Sequence, residues 1–138
     1  MMRVSFPFLL GILLILLVTT SSSAFEAVPG PSLKPFVDKW YSNKAATVEK
    51  YGNISNWDVT LVTYFNNAFA DRKDFNEDLS KWKTSKLTSL EGTFKNCAIF
   101  NGNVSAWEVG KVTTLKLTFY KAKAFDGDIS GWNGKNVV

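Results

Sequence analysis

The chain has 138 residues, with 16 Lys and Arg against 12 Asp and Glu, no histidine and one cysteine. That length carries one core-bearing domain and not two. The missing histidine removes a Ser-His or Cys-His nucleophile, a histidine acid or base and the usual zinc ligand sets, and a lone cysteine allows no intramolecular disulfide, so the fold must stand on packing.

Residues 1–24 read as an export signal. Met1, Met2 and Arg3 precede a wholly apolar run from Phe6 to Val18, and TTSSSA then ends at Ala24. This order of charged, apolar and small residues is that of a cleaved signal peptide, and thirteen apolar residues fall short of the ~20 that span a bilayer as a helix. Cleavage is expected after Ala24; the other reading is an uncleaved anchor, the one membrane contact the sequence offers. No cysteine follows the run, which disfavours a lipid-anchored precursor.

Residues 25–50 form a linker and a helical segment. Pro29, Gly30 and Pro31 interrupt regular structure, and Phe36, Val37, Trp40 and Tyr41, followed by Ala45, Ala46 and Val48, predict one or two short helices ending near Gly52. A repeat stack needs its open end covered, so this segment reads as an N-terminal cap with Trp40 as its anchor.

From residue 51 the chain repeats. Trp57, Trp82, Trp107 and Trp132 are spaced 25 apart, and in register with them run Ile54, Leu79, Val104 and Ile129, then Ser55, Ser80, Ser105 and Ser130, then Val62, Leu87, Val112 and Val137. Three complete units and a partial fourth fill 51–138. Phe65, Leu90 and Leu115, then Phe69, Phe94 and Phe119, then Phe75, Phe100 and Phe125 recur in the complete units. The spacing of 62, 65 and 69 and their equivalents predicts a short amphipathic helix in each unit, with Thr63, Thr88 and Thr113 at its start and Thr88 with Glu91 as a capping box. An Asn, Asp and Gly cluster then predicts a turn, and the aliphatic, Ser and Trp positions after it predict a short strand paired with its equivalents. The expectation is an α/β fold, a short leucine-rich-repeat-like solenoid of 25-residue units with an N-terminal helical cap. The fourth unit stops at Val138 before its helix, so either a partner or second copy pairs at that edge or the reading frame is short.

The units YGNISNWDVTLVTYFNNAF, FNEDLSKWKTSKLTSLEGTF and FNGNVSAWEVGKVTTLKLTF resemble the BspA-type leucine-rich-repeat surface proteins. More closely, they look like the tryptophan-containing repeat of mycoplasma-like surface lipoproteins and of secreted algal proteins. The shared features are the FN-x-D-[aliphatic]-S-x-W core, the V-T-x-[apolar] step and the Phe at the end of that segment. Phe65, Leu90 and Leu115 stand where the family often carries Met, a volume-tolerant exchange. The resemblance covers about 51–138 and implies an extracellular interaction module without established chemistry, so it brings no catalytic residues.

The four tryptophans could stack on sugar rings, but their place in the strongest apolar pattern favours a core ladder. Asn53-Ile54-Ser55 and Asn103-Val104-Ser105 are glycosylation acceptor sequences. The Asn and Asp positions 76, 78, 101, 103, 126 and 128 could gather oxygens for calcium, yet they fit turn chemistry better, and no metal or cofactor is expected. Cys97 shares a column with Arg72 and Ala122 and fits a buried small apolar residue better than an intermolecular bridge. Lys81, Lys83, Lys86, Lys95, Lys111, Lys116, Lys121 and Lys123 are scattered along the sequence, as on a solvated surface and not a nucleic-acid track. The expected function is a secreted or cell-surface interaction or scaffold module that binds protein partners on its broad face. The alternative is a carbohydrate or sulfated-polysaccharide binder using exposed aromatics and lysines, and the exposure of the Trp column separates the two. A carboxylate hydrolase built on Asp78, Asp126 and Asp128 is a distant third, and the chain is not expected to be an enzyme.

Overall fold

A computed structural model describes residues 24–138. The apolar run of the expected signal segment lies outside the described residues.

The 25-residue period becomes a stack of turns, and what joins them is the backbone. Thr88 N–H donates to Thr63 C=O, Thr113 N–H to Thr88 C=O and Val138 N–H to Thr113 C=O. In the opposite sense Phe65, Asn67, Phe69 and Asp71 donate to Ser89, Glu91, Thr93 and Lys95, and Leu90, Gly92, Phe94 and Asn96 repeat the pattern onto Thr114, Lys116, Thr118 and Tyr120. Alternate residues of one turn thus pair with the next, at 2.7 to 3.1 Å.

The expected α/β leucine-rich-repeat-like solenoid does not form. Among the described residues the only α-helices are α1 (Lys34–Ser42) and α2 (Lys44–Tyr51), a single 3-10 turn spans Ile54–Asn56, and no strand is present. β pairing is reduced to isolated parallel bridges along one column, Ser32 to Tyr64 to Ser89 to Thr114.

The predicted helix at 62–69 and its equivalents is replaced by consecutive tight turns. Ala68 N–H reaches Phe65 C=O, Ala70 reaches Asn67 and Arg72 reaches Phe69, and the same three-residue bonds recur in the next two turns. Two residues in each turn are left-handed: Asn67 (φ 51) and Asp71 (φ 66), Gly92 (φ 63) and Asn96 (φ 59), Leu117 (φ 57) and Lys121 (φ 58). A left-handed residue every fourth position breaks a right-handed helix yet preserves its three-and-four spacing of inward side chains, which is why the pattern looked helical. Asn, Asp and Gly are the residues that tolerate this conformation, and four of the six positions hold them.

The threonines expected as helix caps serve the stack. The hydroxyl of Thr88 donates to Thr63 C=O at 2.8 Å and that of Thr113 to Thr88 C=O at 3.3 Å. The expected strand carrying the aliphatic, Ser and Trp residues is also a turn, closed by Trp57 N–H to Ile54 C=O and by the same bond from Trp82, Trp107 and Trp132.

Inside the stack like packs on like. Phe69, Phe94 and Phe119 are stacked at 5.4 and 5.6 Å, Phe75, Phe100 and Phe125 at 5.7 and 5.9 Å, and the two columns lie side by side at 3.8 to 4.1 Å. Identical side chains one turn apart match in shape, so a 25-residue sequence period yields a continuous aromatic core.

The segment before the repeats packs on the first turn. Pro31 C=O accepts from the N–H groups of Thr63 and Tyr64, and Tyr64 C=O accepts from Leu33 N–H, so 31–33 takes the place of a preceding turn. Trp40 on α1 meets Phe75 edge to face at 6.4 Å, and Tyr51 on α2 meets Trp57 at 6.1 Å. Arg72 ties the two parts together: its guanidinium lies 4.1 Å over the Tyr41 ring and bonds Asp38 at 3.0 Å. Where later turns have Cys97 and Ala122, a long cation can reach the helix.

Candidate functional site

Most chemistry-bearing side chains in the repeats are occupied in holding the stack. Trp57, Trp82 and Trp107 are buried and Trp132 is half-buried. Their rings stack at 6.4, 6.0 and 6.3 Å, within 6° of parallel. Each indole N–H from Trp82 onward donates to the aliphatic carbonyl of the turn before, Trp82 to Ile54 at 2.8 Å, Trp107 to Leu79 at 3.1 Å and Trp132 to Val104 at 3.1 Å. Trp82 and Trp107 have both faces covered by neighbouring tryptophans, Trp57 is buried between Tyr51 and Trp82, and only Trp132 is covered by a tryptophan on one side alone.

Thr93 and Thr118, both buried, place their hydroxyls within reach of two carbonyls each, Phe65 and Leu90 for the first and Leu90 and Leu115 for the second. Cys97 points its thiol at Phe69 C=O, and burial pushes that thiol up to about 12, so it stays protonated and unreactive at neutral pH. Tyr41 is also pushed up to about 12, by burial first and then by Asp74.

The Asn and Asp positions are spent on turns. Asp78 accepts from the N–H and hydroxyl of Ser80, Asn103 from those of Ser105, and Asp128 from Ser130 N–H. These bonds hold the carboxyls of Asp78 and Asp128 below the usual carboxylate range, the backbone N–H contributing most, and Asp58 is held low chiefly by the Thr60 hydroxyl. Asn76 and Asn101 each accept from the N–H one turn above, at 2.8 and 2.9 Å. Among the described residues no three His, Cys, Asp or Glu side chains gather to hold a metal ion. The acceptor asparagines Asn53 and Asn103 are both exposed, and Asn103 already bonds its own Ser105.

What remains free is the outward surface, and here the columns stop repeating. Position 74 is Asp, then Ile99, then Ala124; position 67 is Asn, then Gly92, then Leu117; position 70 is Ala, then Lys95, then Tyr120. Ile99, Leu117 and Tyr120 are exposed by 50%, 41% and 47%, large apolar groups in columns otherwise polar or small. At the adjoining corner Asp71, Lys73, Asn96, Ala98, Lys121 and Lys123 line an open groove of about 480 Å³. Along the sequence the lysines are scattered, but the coil brings Lys121 and Lys123, 48 and 50 residues from Lys73, onto one groove with it. Ile99, Leu117 and Tyr120 were missed too, although reading each column for its odd member would have found them.

No helix among the described residues is long and apolar enough to cross a membrane. No curated protein and no solved structure matches the chain. Residues 37–138, from within α1 through every repeat, match the family model described as "Mycoplasma protein of unknown function, DUF285", and by that match the chain belongs to this family.

Proposed function

We propose that the chain is a cell-surface interaction module that binds protein partners through the wall formed by residues 66–74, 91–99 and 116–124. Membership of the DUF285 family supports a surface location. The reading is one of binding without catalysis, since the repeats spend their hydroxyls, indoles and most carboxamides on internal bonds.

Leu117 carries the reading. It is a large apolar residue, 41% exposed, held at φ 57 where the two turns below have Asn and Gly. Left-handed backbone costs a residue other than glycine about 1–2 kcal/mol, and a side chain left 41% exposed offsets only part of it. Residues kept in unfavourable conformations cluster at binding and switching sites. Ile99 on the same wall adds a second exposed apolar group.

The test is binding of the purified chain to intact cells, read by flow cytometry before and after the cells are treated with protease. Leu117→Asn and Ile99→Asp are each expected to cut binding at least tenfold while leaving thermal unfolding at or above that of the parent, and proteolysis of the cells is expected to remove it. Binding that survives proteolysis, or that neither substitution weakens, rejects a protein partner on this wall.

A further inference from the structure

We infer that the corner groove lined by Lys73, Lys121 and Lys123 is a site for a sulfated polysaccharide. The groove lies on the wall proposed to bind protein, but the inference rests on other side chains, the lysines and not Leu117 and Ile99, and on a different ligand chemistry, so the two readings stand or fall separately.

Lys73 and Lys123 share one column two turns apart, with Ala98 between them. Hydrogen-bonded turns are spaced by about 4.8 Å, so the two lysines leave the stack about 10 Å apart over a floor that the small alanine keeps low. Lys121 lines the same groove from the column it shares with Asp71 and Asn96. All three lysines are exposed, and among the described residues the ion pairs are Lys34 with Asp38, Lys50 with Glu26 and Arg72 with Asp38, so none of the three is neutralised by a partner. The one carboxylate in the groove, Asp71, is turned to Asn96, whose amide donates to it at 2.6 Å. The groove therefore holds three cations against one anion.

Lys121 adds an independent observation. It is left-handed, at φ 58, in a column whose lower members are Asp and Asn, residues that accept that conformation. Lysine is an unfavourable choice there, since its side chain is exposed and the contact its ammonium makes is with the Tyr120 ring, 5.2 Å to the centroid. Two lysines about two turns apart along the stack axis, with a third beside them, match a chain that carries more than one anionic group along its length. The half-exposed Tyr120 ring, next to Lys121, is an aromatic surface on which a sugar can pack, and this favours a polysaccharide over an acidic peptide.

The experiment measures binding of the full chain to immobilised heparin, used as the sulfated polysaccharide, and to poly-glutamate of matched charge, at low and at physiological salt. The variant Lys73→Gln, Lys121→Gln, Lys123→Gln is expected to weaken heparin binding at least tenfold. A control that removes the same charge elsewhere, Lys81→Gln, Lys83→Gln, Lys111→Gln, is expected to change it less than twofold, with circular dichroism unchanged in both. Tyr120→Ala is expected to weaken heparin binding three- to tenfold without altering its salt dependence, as loss of a stacking face does and loss of a charge does not. Equal losses in the two triple variants would reduce the interaction to general charge attraction and overturn the site. Poly-glutamate binding as tight as heparin would assign the groove to acidic polypeptides and overturn the saccharide, and so would the absence of heparin binding at physiological salt.

Discussion

Phe94 and Phe119 hold the same column one turn apart, yet the first is fully buried and the second only partly. The same contrast runs through the other columns: Leu79 is wholly buried and Ile129 is 37% exposed, Leu90 is buried and Leu115 is not, Trp82 is buried and Trp132 is half-buried. At the other end α1, α2 and the 31–33 segment cover the first turn, and Ile54 and Trp57 are only 2% exposed. Residue type is identical or nearly so, and neighbours are not. In a stacked repeat a side chain's worth belongs to the pair of turns it joins, not to the residue itself.

Substituting tryptophan in the two settings breaks that comparison most directly. Trp82 packs between Trp57 and Trp107, meets Phe65 and Phe69, and donates its indole N–H to Ile54 C=O. Trp82→Ala is expected to cost about 3–5 kcal/mol in urea unfolding, in the range for a fully buried aromatic. Trp132 stacks on one tryptophan only and is half-buried, so Trp132→Ala is expected to cost about half as much. Equal losses would mean that the turns contribute independently and that the stacking account is wrong.

A smaller effect, of opposite sign in the two turns, comes from the left-handed column. Leu117→Gly is expected to raise stability by about 0.5–1 kcal/mol, because relief of the left-handed strain exceeds the entropy glycine adds to the unfolded chain. The reciprocal change Gly92→Leu is expected to destabilise by about 1–2 kcal/mol, chiefly because leucine must take up the left-handed backbone at φ 63, with the Asn67 carboxamide also having to move aside. Thermal unfolding of both variants decides it, and a destabilised Leu117→Gly would show that the leucine packs where it stands.

The 25-residue period, the inward columns and the helices before Gly52 were readable because the same apolar types return at the same phase. The backbone that carries those columns was not. Spacing of three and four residues is shared by a helix and by successive turns with a left-handed step, and only the Asn67, Asp71, Gly92 and Asn96 positions favour the second. Thr63, Thr88 and Thr113 misled in the same way: a hydroxyl that can cap a helix can equally reach a carbonyl one turn away, as the last two do. The groove lysines were hidden because Lys73 and Lys123 become neighbours only once the coil is wound.

The faintest effect separates turns that hold Asp from the turn that holds Asn at the same place. Asp78 and Asp128 accept N–H bonds from the serines two residues on, and their carboxyls are held below 3.8, the ordinary value. A depressed folded value means that the stabilisation is present above about pH 4 and is lost as pH falls through the folded value, where protonation removes the acceptor charge. Asn103 makes the same bonds to Ser105 without titrating, so its turn is insensitive to acid. Both aspartates are solvent-exposed and screened, so the effect on the whole chain is small. Asp78→Asn with Asp128→Asn, in protein produced without glycosylation because the changes create new acceptor sequences, is expected to flatten the fall in melting temperature between pH 4 and pH 2.5. An unchanged acid limb would place the acid sensitivity elsewhere, with Asp58, held low by the Thr60 hydroxyl, the next carboxylate to replace.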